Sequence, residues 1–237
     1  MISVKKDKRN YGKIITTAVF ASFILSFLYV LMVIILSPKY ITADRTTSEY
    51  ALMLLQCILG IFAMLLPGFL EHRIKLIIPS SMLIPYALFL YGSIYLGEVR
   101  DFYFIIPHWD TVLHTFSGCM LGALGFSFVS LLNDIDNGPL RLNEGFVAVF
   151  AFCFAVALGV VWEIYEYVSD GILGLNMQKF MLKSGELLVG RAALADTMKD
   201  LMVDCLGALA VSLAGYVSLK DKTGWLERYL VKKKDEN

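Results

Sequence analysis

GFVAVFAFCFAVALGVVWEIYEYVSD, residues 145–170, decides how this chain is read. Its run from 145 to 168 is apolar and long enough to cross a bilayer as a helix, which takes about 20 residues. Backbone in hydrocarbon must satisfy its own hydrogen bonds, so a run of that length is helical. Yet it closes on Glu163, Glu166 and Asp170, three acids at spacings of three and four. A helix built for lipid that ends in carboxylates must have something that makes them tolerable.

Outward from this stretch the pattern repeats, giving six runs near 14–36, 50–70, 76–97, 108–132, 145–168 and 196–219. Hydrophobic residues make up 57% of the 237, and only 18% are charged, against about 25% in soluble proteins. Mean hydropathy is +0.66. The expected fold is all-α: a polytopic integral membrane protein with six transmembrane helices in one membrane domain, 14–219. A basic N-terminus (1–13) and a basic amphipathic tail (220–237) flank it. The first run is too long for the core of a cleavable signal peptide, and no A-x-A-like site follows it. Pro67, Pro79 and Pro85 predict bends in the second and third helices. The four cysteines fall inside apolar runs and read as small buried hydrophobes. A formal net charge of zero gives no reason to expect nucleic acid; the expected partner is the lipid bilayer.

Basic residues set the orientation, because cytoplasmic loops collect them. Fourteen lie on the side of the termini: Lys5, Lys6, Lys8, Arg9, Lys13, Arg73, Lys75, Arg141, Lys220, Lys222, Arg228, Lys232, Lys233 and Lys234. Six lie on the other: Lys39, Arg45, Arg100, Lys179, Lys183 and Arg191. Both termini are therefore expected in the cytoplasm. In the tail, GWLERYLVKKK (224–234) is expected on the inner surface, with Trp225, Leu226, Tyr229 and Leu230 toward lipid. The outer segment from Gly171 to Ala195 contains NMQKFMLKSGELLVGR (176–191), mixed apolar and polar and too short to span, and reads as a lid or interfacial segment.

Ionisable residues inside a membrane are costly, about 2.5–3.5 kcal/mol each at a helix centre. Here they concentrate in the last three runs: Asp110 and His114; Glu163, Glu166 and Asp170; Asp196, Lys199, Asp200 and Asp204. With this topology all of them lie toward the outer face. Helical phase adds a second argument, since residues four apart share a face. The rows are Asp110–His114–Gly118–Gly122, Ala151–Ala155–Gly159–Glu163 and Asp196–Asp200–Asp204–Ala208–Ser212. Each is small at one end and ionisable at the other, and small residues let membrane helices approach closely. The three rows are expected to face one another around an outward-opening acidic chamber. Helix capping is the competing reading for Asp110 and Asp196, placed at helix starts. Interfacial exposure competes for Asp170.

Carboxylates this crowded need protons, cations or basic partners. Lys199, with Lys183 or Arg191 from the outer segment, is one source of salt bridges. Bound metal is the other: carboxylates and a His from facing helices suit a divalent cation such as Mg²⁺, Mn²⁺ or Ca²⁺. Asp110, Glu163, Glu166, Asp200 and Asp204 are the expected ligands, with His114 and Glu163 as general acid or base. Glu-x-x-Glu stands here where carboxylate-bridged dimetal bundles carry Glu-x-x-His.

HWDTVLH (108–114), WEIYE (162–166), DTMKDLMVDCLGALA (196–210) and LPGFLEHRIKLIIP (66–79) together resemble the YjdF-like family of bacterial membrane-spanning proteins. The resemblance runs over most of the chain. It implies a multi-pass protein of the bacterial cytoplasmic membrane and carries no established activity with it. Asp200 to Ala208 also resembles one helix of the VanZ-like proteins linked to glycopeptide resistance. Three functions stay open at this point. One is a divalent-cation-dependent hydrolase or transferase acting on a lipid-linked substrate. The others are a proton- or cation-coupled transporter, and a non-catalytic sensor or assembly partner holding a small cationic ligand or none.

Overall fold

The computed structural model describes residues 2–36, 47–135, 142–182 and 184–233. Lys39, Arg45, Arg141, Lys183 and Lys234 lie outside the described residues, as does 136–141 of the polar loop. Seven helices occur among the described residues: α1 (Ile2–Leu36), α2 (Thr47–Arg73), α3 (Ser80–Leu90), the short α4 (Phe102–Ile105), α5 (Trp109–Ile135), α6 (Glu144–Leu173) and α7 (Arg191–Lys220). A π-helical run, Tyr91–Val99, continues α3. Six spans are long and apolar enough to cross a membrane: Gly12–Leu36, Glu49–Arg73, Ser80–Val99, Trp109–Leu132, Glu144–Leu173 and Arg191–Lys220. Large apolar side chains stay exposed along them, among them Leu25, Phe62, Val149, Ile172 and Leu206. That much exposed apolar surface belongs in lipid.

The helix ends have local causes. Asn143 caps α6, its side chain accepting from the Phe146 N–H at 2.7 Å. Gly174 ends α6 in the left-handed conformation, φ 64°, returning its N–H to the Asp170 carbonyl. Pro67 and Pro85 lie inside α2 and α3. Pro79 does not: it stands before the first turn of α3 in extended conformation, where its missing N–H costs nothing. Helix α7 starts at Arg191, so Asp196 is well inside the helix and the capping reading fails for it. Asp110 does sit in the first turn of α5.

Two helix groups make up the bundle. In the first, α1, α2, α3 and the π-helical run close around Val19, Phe23, Cys57, Ala87, Leu90 and Ile94. The second consists of α5, α6 and α7, with α5 and α7 sharing the most extensive contact in the molecule. Gly92 joins the groups: its carbonyl accepts the Trp109 indole N–H at 3.1 Å, and the missing side chain leaves room for Leu113. Cys153, by contrast with the expectation for cysteine, is exposed.

The Gly12 region of α1, the α2–α3 connection and the tail come together at one end of the bundle. Strand β1 (Leu76–Ile77), between α2 and α3, pairs antiparallel with β2 (Lys232–Lys233) of the tail. Leu226, on a 3₁₀ turn, is buried against Phe126, Val129, Val147, Ala148 and Ala151. The Val231 N–H donates to Ser127 Oγ at 3.2 Å, and the Ser81 hydroxyl donates to the Arg228 carbonyl. The tail is thus docked on the bundle, and Leu226 does not face lipid. Backbone hydrogen bonds to Ser127 and Ser81, which hydropathy does not register, hold it there.

Candidate functional site

All three helical rows face inward. Ala151, Ala155, Gly159 and Glu163 are buried on α6; Asp200, Asp204, Ala208 and Ser212 are buried on α7; His114, Gly118 and Gly122 are buried on α5. Glycine makes the approach possible. A methyl on Gly118 would overlap the Asp204 backbone, and one on Gly207 would overlap the Thr115 carbonyl. On α6, a methyl at Gly159 would stand 2.9 Å from Asp204 Oδ2. Asp204, near the middle of α7, therefore meets bare backbone from both neighbouring helices, its main chain at Gly118 and its carboxylate at Gly159.

Above this seam the ionisable groups gather. His114 Nδ1 is 3.2 Å from Asp204 Oδ2, and the Ser117 hydroxyl donates to Asp204 Oδ1 at 2.7 Å. The other ring nitrogen, Nε2, is 3.7 Å from Asp110 Oδ1. Asp110, His114 and Asp200 each offer one ligand atom, and these atoms all lie within 4.8 Å of one another. Asp200 Oδ1 and both oxygens of Glu163 are buried without a hydrogen-bond partner. Thr197 faces Glu163 across the α6–α7 contact without closing a hydrogen bond to it. A buried carboxylate left so costs several kcal/mol unless a proton or a cation joins it.

The expected residues thus divide. Asp110, His114 and Asp200 come together, and Glu163 is buried one helical turn above Gly159. Asp204 is engaged by His114 and Ser117. Glu166 is half-buried and accepts the Trp162 indole N–H at 2.8 Å. Asp170 is not an exposed interfacial acid: it is buried and accepts the N–H groups of Met177 and Gln178 at 2.7 and 3.0 Å.

Asp170 thereby folds the segment 174–190 back over the site, and Leu175 and Met177 pack against Leu52 of α2. Among the described residues, Lys179 rather than Arg191 is the cation that this segment delivers. Its Nζ lies 3.7 Å from Glu98 Oε1 and 4.6 Å from the Tyr103 ring centroid. Burial works against its charge, but Glu98, Asp110, Glu166 and Asp196 outweigh burial and hold the ammonium above the ordinary lysine range. Burial, reinforced by Asp110 and Glu98, pushes the Tyr103 hydroxyl well above its usual range, so it stays protonated. Sequence reading missed Lys179, Glu98 and Tyr103 as a group, because only the fold of the loop assembles them. Beneath the segment lies a cavity of about 250 Å³ lined by Tyr103, Trp109, Asp110, Lys179, Asp196 and Lys199 among others. Asp110 belongs both to this cavity and to the three-ligand cluster.

Among known proteins, an "Uncharacterized protein" of Thermotoga maritima is 29% identical over 157 residues, 65% of this chain. The match spans 66% of that relative's length, just under two thirds. No solved structure matches. One family matches over residues 19–221, which take in the whole α5–α7 site, and the chain therefore belongs to that family, described as Predicted membrane protein (DUF2238).

Proposed function

We propose that this protein binds a divalent cation, Mg²⁺, Mn²⁺ or Ca²⁺, and uses it in a hydrolase or transferase reaction on a lipid-linked substrate. The observation that carries the reading is the convergence of Asp110, His114 and Asp200 within ligating distance beside a carboxylate, Glu163, that has no hydrogen bond of its own. Oxygen-rich ligands with one imidazole suit these cations. Asp204 has the position of an orienting group: by engaging Nδ1 it leaves Nε2 of His114 for the cation, the usual carboxylate–histidine–metal arrangement. That assignment makes His114 a ligand and leaves Glu163 to take the proton of an attacking water or hydroxyl. The cation's contribution would be to polarise the substrate oxygen and acidify the nucleophile. Tight packing below Asp204 disfavours coupled transport.

We place the protein in a bacterial cytoplasmic membrane with both termini inside. The excess of basic residues on the side of the tail supports this, as does the likeness to YjdF-like proteins. On that orientation the site opens to the outer face.

The test is metal content after Mn²⁺ loading and desalting. Wild type should retain a bound ion, and Asp200→Asn and His114→Ala should lose it. Equal Mn²⁺ in all three proteins would overturn the cation site. A site that binds Mn²⁺ but yields no Glu163-dependent change in cellular lipid intermediates would leave binding without catalysis, the sensor reading.

A further inference from the structure

We infer that the cavity beside the cation site receives the phosphate of a lipid headgroup, bridged between the bound cation and Lys199. The inference rests on the cation site proposed above and adds the chemistry of its ligand.

The two cavity lysines are not equivalent. Lys179 is spent internally: its ammonium faces Glu98, donates to the Asn176 carbonyl at 3.4 Å, and lies over the rings of Tyr103 and Phe104 at 4.6 and 5.5 Å. Lys199 lines the same cavity and makes no ion pair or hydrogen bond with any described residue. Asp196 and Asp200 of its own helix act on its charge only from beyond salt-bridge distance, so the ammonium has no short-range counter-ion in the wall. A cationic headgroup is disfavoured, because the aromatic faces that would receive it already carry Lys179.

A phosphate alone is disfavoured too. Asp110 and Asp196 share the cavity wall with Lys199, and Asp200 lies behind them on α7. A divalent cation on Asp110, His114 and Asp200 reverses that balance. Three protein ligands also leave open coordination positions, and Mg²⁺-type ions held by one or two carboxylates commonly fill such positions with substrate phosphate oxygens. Binding is therefore ordered, cation first. The rest of the ligand follows from the apolar side of the cavity: Phe104, Met181 and Leu182 line it, and Phe104 and Leu182 are exposed at its edge. That surface suits an acyl or prenyl chain rather than a soluble phosphate.

Calorimetric titration of the detergent-purified full chain tests this with three probes: short-chain phosphatidic acid, the matching diacylglycerol, and glycerol 3-phosphate. Phosphatidic acid should bind in Mn²⁺ and not in EDTA, diacylglycerol should not bind, and glycerol 3-phosphate should bind far more weakly. Lys199→Met should weaken phosphatidic acid about tenfold, the size of one charge-assisted contact, with Mn²⁺ binding unchanged and Lys199→Arg close to wild type. Equal binding in EDTA, or no effect of Lys199→Met, would overturn the phosphate bridge. Glycerol 3-phosphate binding as tightly as phosphatidic acid would overturn the lipid assignment. Failure of the wild type to take up Mn²⁺ would remove the cation site, and this inference with it; normal Mn²⁺ uptake without headgroup discrimination would remove this inference alone.

Discussion

Replacing Gly118 by Ala puts one carbon into one of the tightest contacts of the membrane domain. The new Cβ would overlap the Asp204 carbonyl oxygen and stand 3.0 Å from the carbonyl carbon and Cα of the same residue. Carbon atoms settle about 3.5–4.0 Å apart, so α5 and α7 must separate by roughly 0.5–1 Å. The obstacle is backbone, which cannot rotate out of the way. Overpacking of this kind costs about 1–3 kcal/mol. The same separation acts on the site, because the Asp204 contacts to Ser117 at 2.7 Å and His114 at 3.2 Å cross the same seam. Stretching the longer one takes it beyond hydrogen-bond length. Gly171→Ala is the control: Gly171 is exposed on α6, nothing lies within 4 Å of its new Cβ, and alanine is the better helix former by up to about 1 kcal/mol. Thermal unfolding in one detergent, followed by Mn²⁺ titration, compares the variants. Gly118→Ala should unfold several degrees below wild type and bind Mn²⁺ more weakly, with Gly171→Ala at or above wild type on both counts. A Gly118→Ala protein matching wild type in both assays would refute the close α5–α7 seam and the geometry built on it.

Two further perturbations address the groups around the seam. Asp204→Asn keeps the side-chain shape and removes the charge that His114 Nδ1 meets, so Mn²⁺ affinity should fall about 10- to 100-fold; unchanged affinity would deny Asp204 the orienting role. Asp170→Ala removes the acceptor of two backbone N–H groups, each such bond to a charged group being worth about 1.5–3 kcal/mol. Limited proteolysis should then cut within 174–190 faster while the helices stay intact, and equal cleavage rates would show that Asp170 does not fold this segment.

Much of this was legible in the sequence because membrane helices obey two simple periodicities. Length and hydropathy define the spans, and the four-residue spacing of Asp200, Asp204, Ala208 and Ser212 is enough to place them on one buried face. Helix α7 begins before its apolar run because RAALA, a run of strong helix formers after Gly190, carries the helix back to Arg191. Lys179 and Glu98 were out of reach. They lie 81 positions apart in sequence and 3.7 Å apart in space, and the contact depends on Asp170 turning the chain at Met177 and Gln178. The tail failed for a similar reason. An amphipathic pattern reports that Leu226 needs an apolar surface, and it does not distinguish lipid from the Phe126–Ala151 surface.

The two halves of the α5–α7 contact have a joint consequence. Past Asp204, toward the end where the tail docks, Gly122 faces Val211, Gly125 faces Ala151, and the Phe126 ring fills the space beside Gly215. The stretches 119–132, 145–159 and 205–219 that form this part carry no Asp, Glu, Lys, Arg or His, and the buried Ser212 offers only a neutral hydroxyl. Every ionisable group of the cluster lies on the other side of Asp204, next to the cavity under 174–190. A cation that reaches Asp110, His114 and Asp200 must therefore leave by the way it came unless α5 and α7 separate. Separating them breaks the contacts that orient His114. Occupancy and opening are thus opposed, so an ion bound at Asp110, His114 and Asp200 would be held there rather than passed through.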